Sequence, residues 1–198
     1  MDRRLVAWAR AVKSRQRRAG LRGPPVLWLF TDARRVADPL SAASRLPSGL
    51  AGVVFRHDGE PGRAALGREL ARICRERRLM LVVAGDVRLA RSLRAGVHLR
   101  AGAWPSPLRA GGRLVTSSAH SMAELRRAPR AGAAVIFLAP AFRTASHPDA
   151  RGFGPIRWTR LARSVEGVAV CALGGVDGTT VRRLTRFCAG AGAIGALM

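Results

Sequence analysis

Eight short apolar runs, separated by amphipathic or glycine-containing stretches, divide this 198-residue chain, and that rhythm limits the fold more than any other feature. The runs open at Val26, Gly52, Leu79, Gly96, Leu114, Val135, Val168 and Ala193. Short continuous apolar runs bounded by turn residues read as strands buried on both faces, and helices between them make such strands parallel. Eight parallel strands close a cylinder, so the pattern predicts an α/β fold of the (β/α)8 TIM barrel type rather than an open doubly wound sheet.

Ahead of the first run, Leu5, Val6, Trp8, Ala9 and Val12 recur at helical spacing between arginines. They predict an amphipathic N-terminal helix over residues 1–20, preceding a barrel domain over 25–198. Further helices are expected over 39–45, 62–78, 87–93, 121–130, 156–163 and 177–187. In the second of these Leu66, Leu70 and Ile73 form the inner stripe, and in the fourth Ser121 and Glu124 fit a capping box. Pro105 and Pro107 make residues 100–112 a loop. The last run reaches Leu197 and no helix follows it before Met198, so the barrel is expected to be short and to lack its last helix. Either the leading helix or a second subunit of a homo-oligomer is expected to cover that gap.

A hydrophobic content of 48% excludes a disordered chain. The formal charge of +23 is almost all arginine, since Lys13 is the only lysine, and it is spread over several helices. Solvated helix faces account for it, and the absence of tyrosine and of aromatic-rich motifs ranks nucleic acid last among the partners. The charge favours small anionic substrates. Apolar runs fall well short of the roughly 18 residues that cross a bilayer, and the N-terminus has no continuous apolar core of a secretory signal. Cys74, Cys171 and Cys188 are odd in number, without a Cys-x-x-Cys pair, and read as reduced, buried residues of a cytoplasmic protein.

The chemistry is expected at the C-terminal ends of the strands. Val135 to Pro148 is a buried strand feeding an irregular loop, Asp149 to Gly154. Val168 to Leu173 ends in Gly174-Gly175-Val176, and Gly190 to Leu197 is glycine-rich. Paired glycines let backbone N–H groups approach a phosphate closely, and the loops after strands seven and eight of a barrel commonly form such a site. Of the histidines, His98 reads as a core residue inside a strand and His57 as an exposed loop residue.

From about Leu27 to Leu197 the chain resembles the thiamine phosphate synthase and thiazole tautomerase (TenI-type) superfamily. The resemblance is carried by Leu29-Phe30-Thr31-Asp32, Gly96-Val97-His98-Leu99, Ser118-Ala119-His120-Ser121, the stretch Gly132 to Thr144, Ala172-Leu173-Gly174-Gly175-Val176 and Gly190-Ala191-Gly192-Ala193-Ile194. It implies a transferase of thiamine biosynthesis that joins hydroxymethylpyrimidine diphosphate to thiazole phosphate, releasing pyrophosphate with Mg2+. The resemblance places Arg56 and Ser118 at the diphosphate. It places Thr144, Ser146 and His147 on the segment that grips it, with histidine where the family has lysine. Gly174, Gly175 and Gly195 would hold the thiazole phosphate. The family glutamine and lysine near Arg56 are replaced by Val54 and Asp58. Where the family has an asparagine-aspartate pair for the metal, this chain has Ala84-Gly85; Asp86, one residue late, is either a Mg2+ ligand by register shift or a helix N-cap. The metal and diphosphate site is therefore degenerate. His120 resembles the histidine of thiazole tautomerases, which move a proton without metal; packing behind the fifth strand is its alternative. The functions implied are a synthase first, a tautomerase second, and then a non-catalytic barrel that binds a phosphorylated ligand.

Overall fold

A computed structural model of the chain describes residues 1–21, 23–100, 112–144, 151–184 and 186–198. Eight parallel strands follow one another around a closed barrel: β1 (Leu27–Phe30), β2 (Ala51–Phe55), β3 (Met80–Ala84), β4 (Gly96–Leu99), β5 (Val115–Ala119), β6 (Val135–Leu138), β7 (Ala169–Leu173) and β8 (Gly190–Ala193). Closure is made by β8 on β1, with Leu27 opposite Ala191 and Leu29 opposite Ala193. Six helices accompany the strands: α1 (Arg3–Arg18), α2 (Pro39–Ser44), α3 (Arg63–Glu76), α4 (Val87–Ser92), α5 (Met122–Arg130) and α6 (Gly154–Ala162).

The barrel is filled by large rings set against glycines. Trp28 meets Phe137 edge-on at 5.5 Å and Phe30 meets Phe137 at 4.8 Å, while Val54, Val82, Val135 and Cys171 complete this inner cluster. Space for the rings comes from the neighbouring strands. A Cβ on Gly52 would lie 2.6 Å from the Trp28 ring, and one on Gly192 would lie 2.8 Å from that of Phe30. Strands of four or five residues thus pack to interior density by pairing one large side chain with an absent one.

Outside the strands, a second apolar layer buries the inner faces of the helices. Leu70, Ala71 and Cys74 of α3 are buried there, with Leu66 and Ile73 at its margin, and burial pushes the Cys74 thiol up to about 12. The fully buried Trp158 of α6 donates its indole N–H to the Leu138 carbonyl at 3.2 Å. Half of the expected capping box of α5 is present: Ser121 Oγ accepts from the Glu124 amide at 3.2 Å, while Glu124 Oε2 accepts from the amide of His120, one residue before the cap, at 2.6 Å. None of the helices among the described residues is long and apolar enough to cross a membrane.

The leading helix α1 lies against β8 and the 3-10 turn Val181–Arg183, with Leu5 and Ala9 fully buried. Asp2 caps it, accepting from the Arg4 and Leu5 amides at 2.8 and 3.2 Å. Lys13, the single lysine, ties its last turns to the entry of β1 by donating to the Gly23 and Pro24 carbonyls at 2.9 and 3.3 Å.

Two expectations for the C-terminal third are corrected. The described residues of the stretch 177–187 form no continuous helix, because the Asp177 carboxylate accepts from the Thr179 and Thr180 amides at 2.8 and 2.7 Å and holds a tight turn. Gly178 there packs so closely on α1 that a Cβ would lie 2.4 Å from that of Arg4. The eighth strand is Gly190–Ala193 rather than 193–197. Its small residues are the ones that fit beside β1 and the Phe30 ring, and the apolar residues beyond them turn into the 3-10 segment Gly195–Leu197.

Candidate active site at the mouth of the barrel

All eight strands point their C-terminal ends into one cavity of about 1170 Å3. Its walls differ. On the β6–β8 side they are largely small residues and backbone, Pro140, Gly174, Gly175, Gly192, Gly195 and Ala196, with Leu173 and Ile194 among them. On the β1–β4 side stand Arg35, Arg56 and Arg100 with Asp58, and Arg143 enters from the loop after β6.

The glycine wall is held by packing between loops. Ala141 and Phe142 donate their amides to the Leu173 and Gly174 carbonyls at 2.8 and 3.0 Å, and the returning segment donates from Phe153 to Pro140 at 2.9 Å. Gly174 and Gly175 both have positive φ, 87° and 64°. The physical reason for glycine at 175 is nevertheless different from the one expected. Its Cβ would lie 2.3 Å from the Arg143 carbonyl oxygen, so the residue is required by the loop behind it as well as by any approach of a ligand. The next four amides, from Asp177 to Thr180, are occupied by the side chains of Thr180, Asp2 and Asp177 and are withdrawn from any ligand. The phosphate-cradle expectation thus narrows to Gly174–Val176 and Gly195, all of which line the cavity.

The arginine wall is organised by two carboxylates. Asp32 receives Arg35 and Arg56, each at 3.2 Å. Burial works to raise the Asp32 carboxyl, but the hydrogen bond and charge of Arg35, the Arg34 amide and the charge of Arg56 hold it below the usual carboxylate range. Thr31 sets the backbone: its hydroxyl accepts from the Arg56 amide at 3.0 Å and reaches His57 Nδ1 at 3.0 Å. His57 is buried, not exposed as its loop position suggests, because it stacks on Phe55 at 5.4 Å, and that burial pushes its imidazole below the ordinary range. Asp58, the second carboxylate, receives Arg63 at 3.1 Å and Arg100 at 2.5 Å.

His98 forms the floor. As expected it is buried within β4, and it also faces the cavity, with Nδ1 2.8 Å from Thr116 Oγ1 and Nε2 3.1 Å from Ser118 Oγ. Burial first, then the charges of Arg56 and Arg100, push it down to about 3, so the ring is neutral and one of its nitrogens accepts. Ser118 is thereby fixed at the cavity surface. His120 stands exposed at the cavity wall instead of packing behind β5. Its Nδ1 lies 3.1 Å from the Ala139 carbonyl, an acceptor only, so Nδ1 carries the proton and Nε2 is the basic nitrogen. Thr144 lines the cavity, while Ser146 and His147 lie outside the described residues.

The sequence and the fold are shared with known proteins. The family described as thiamine monophosphate synthase (TMP-TENI) matches residues 27–196, which is every strand of the barrel. The chain belongs to the thiamine monophosphate synthase family. It is 31% identical over 173 residues to a thiamine-phosphate synthase of Synechococcus sp. (strain WH7803), covering 80% of this chain but 48% of that one. It is 31% identical over 160 residues to that of Geobacillus kaustophilus (strain HTA426), covering 75% and 71%. The chain therefore spans about half the length of the first relative and most of the second. Among solved structures it is similar to a thiamine phosphate pyrophosphorylase of Pyrococcus furiosus, with a TM-score of 0.70 at 24% identity over 85% of each chain. It is also similar to FabK of Thermotoga maritima, with a TM-score of 0.69 at 15% identity, over 87% of this chain and 58% of that one. These two likenesses bear on the fold.

Against that family background, the donors for a divalent cation do not fit. Asp86 caps α4, with Oδ1 accepting from the Leu89 amide at 2.8 Å and Oδ2 receiving Arg63 at 3.3 Å, and it does not line the cavity. Of the acids that do, Asp58 is held between two arginines and Asp177 by the turn amides. No group of three His, Cys, Asp or Glu is assembled among the described residues. A hard Mg2+ ion wants several such oxygens at once. Thr31, Asp32, Arg35, Arg100 and Arg143 were not singled out as site residues by sequence reasoning; the Thr31-Asp32 pair at the end of β1 is the one signal that marked their location.

Proposed function

We propose that the chain is an enzyme of thiamine biosynthesis that joins hydroxymethylpyrimidine diphosphate to thiazole phosphate. The observation that carries this reading is a single cavity with one backbone wall suited to a monophosphate and one guanidinium wall suited to a diphosphate. Membership of the family supports it. The barrel over 25–198 carries the chemistry, and residues 1–20 buttress it.

In this reading the thiazole phosphate sits on Gly174, Gly175 and Gly195. Arg56, aligned by Asp32 and Thr31, takes the diphosphate, together with Ser118, Thr144, Ser146 and His147. The thiazole nitrogen lone pair forms a C–N bond to the pyrimidine methylene while the C–O bond to the diphosphate breaks, and its electron pair leaves with pyrophosphate. Guanidinium groups at the departing oxygens are most useful as that charge develops. Because the acids present do not form a Mg2+ site, no step is assigned to the metal. The test is formation of thiamine phosphate by the full chain, with Arg56→Ala as control. Product from the wild type that falls at least tenfold in the variant supports the reading; no product with either removes it.

A second reading is favoured by His120 specifically. An imidazole at the cavity with Nδ1 anchored on a carbonyl is built to take a proton from one ring position and return it to another. Such thiazole tautomerase activity would appear as metal-independent proton exchange on a thiazole carboxylate phosphate, lost in His120→Asn. Exchange that survives the substitution rules His120 out as the base.

A further inference from the structure

We propose that Arg100 stands in the place of a divalent cation, so that this cavity binds an anion of the diphosphate class directly through guanidinium groups. The inference rests on the phosphorylated-ligand reading of the same cavity and names the group that meets the second anion. Arg100 follows β4 immediately and reaches across to the end of β3, where Gly85 donates its amide to the His98 carbonyl at 3.1 Å. At that point β3 offers no side chain. A Cβ built on Gly85 would lie 3.0 Å from Arg100 Nε and 3.3 Å from its Nη2. The guanidinium therefore occupies the space into which any side chain at 85 would grow, including a carboxylate able to hold a metal.

Two further observations point the same way. Between Asp86 and Glu124 the sequence contains neither aspartate nor glutamate, so neither β4, β5 nor the stretch between them supplies a carboxylate. Asp58, the nearest acid, is bridged by Arg100 on one oxygen and Arg63 on the other. Among the described residues that line the cavity, Arg35, Arg56, Arg100 and Arg143 face Asp58 and Asp177, an excess of cation, and the His98 ring is neutral. A metal brought to this edge would meet like charge, whereas a diphosphate would meet planar donors already in place. Asp58 positions Arg100 rather than binding the ligand.

The experiment is calorimetric titration of the full chain with inorganic pyrophosphate, in EDTA and in excess MgCl2. Binding in EDTA with an affinity that Mg2+ changes by less than about threefold is expected. Arg100→Gln should weaken it by about tenfold or more in EDTA, while leaving thiazole phosphate binding within about twofold. Arg100 is half-exposed, so this variant should keep the unfolding midpoint of the wild type. Gly85→Asp places a carboxylate against the guanidinium and should likewise weaken pyrophosphate binding in EDTA. Affinity that rises tenfold or more on adding Mg2+, or an Arg100→Gln chain that binds pyrophosphate like the wild type, overturns the proposal. Failure to form thiamine phosphate while pyrophosphate binds in this pattern defeats the synthase reading and leaves the arginine site standing.

Discussion

On the β6–β8 side of the mouth, the groups that face the cavity are largely backbone and small residues fixed by loop packing. On the β1–β4 side they are guanidinium groups on long side chains, each held by a carboxylate. Gly174 and Gly175 in the first half have no side-chain freedom to lose when a ligand arrives, and a methyl group added at 175 would strike the Arg143 carbonyl. The second half can shift, is screened by salt, and can change its ligand chemistry by single substitutions without disturbing the barrel. A family site can therefore diverge on its charged side while its glycine side stays fixed.

The largest expected effect is on the rigid half. In Gly175→Ala the new Cβ would lie 2.3 Å from the Arg143 carbonyl, in a backbone conformation with φ of 64° that disfavours side chains. A loss of about 3 kcal/mol in denaturant unfolding is expected, roughly 6–12 °C in midpoint for a chain of this size. Gly195→Ala, whose Cβ would meet nothing within 4 Å, is the matched control and should cost less than about 0.5 kcal/mol. Equal stability for the two variants would mean that the Arg143 carbonyl does not fix the glycine wall. On the guanidinium side Arg56→Ala should weaken pyrophosphate binding by about 30-fold, or about 2 kcal/mol, with the unfolding midpoint nearly unchanged. Arg56 is half-exposed, and Asp32 keeps Arg35 as a partner. A Arg56→Ala chain that unfolds early without losing affinity would assign the residue to structure instead.

The same division explains how much of the molecule is legible in its sequence. The barrel was legible because eight apolar runs at regular spacing leave few other ways to bury strands on both faces, and the glycine wall was legible because Gly174-Gly175 marks its own backbone demand. The strand at Gly190–Ala193 is hard to place from sequence because its residues are small: their burial depends on Val26 and Phe30 arriving from the β1 side, which no local pattern reveals. The helix expected over 177–187 failed for a related reason, since the turn is fixed by Asp177 and by contact with α1, far away in sequence. His57 looked exposed because its neighbours are polar, yet Phe55 and Thr31 enclose it. Arg100 was one arginine among many until Gly85 gave it a seat.

The two halves share the His98 floor, and its titration gives a smaller but sharper test. Its pKa in the folded chain, about 3, lies below the ordinary value of 6.5, so the unfolded chain takes up a proton first as pH falls. The stability it contributes is complete above the unfolded pKa and is lost progressively on descending towards the folded one. From about pH 7 to about pH 5 this single group should lower unfolding free energy by about 2 kcal/mol. His57 acts with the same sign. His98→Gln keeps polar atoms near Thr116 and Ser118 but cannot titrate, so its stability should fall much less over that interval. Parallel slopes for variant and wild type would mean that the floor is not a buried neutral imidazole.

Asp2 carries the smallest of these effects and extends the comparison beyond the mouth. Its backbone N–H donates to the Ala196 carbonyl at 2.8 Å and its carboxylate accepts from the Gly178 amide at 2.6 Å, so the first turn of α1 braces the loops after both β7 and β8. The Gly178 hydrogen bond, opposed by burial and aided by the Leu5 and Arg4 amides, holds its carboxyl below the usual range. The brace is therefore intact above the ordinary carboxylate pKa and is released as pH falls through the lowered one. Asp2→Ala removes the cap and the brace together and should cost about 1 kcal/mol in unfolding. Asp2→Asn retains a good N-cap but donates where Gly178 also donates, so it separates the two roles. If Asp2→Asn keeps its stability yet binds thiazole phosphate more weakly, the rigid half owes part of its rigidity to α1; if affinity is unchanged, the glycine wall is held by the Phe142–Gly174 contacts alone.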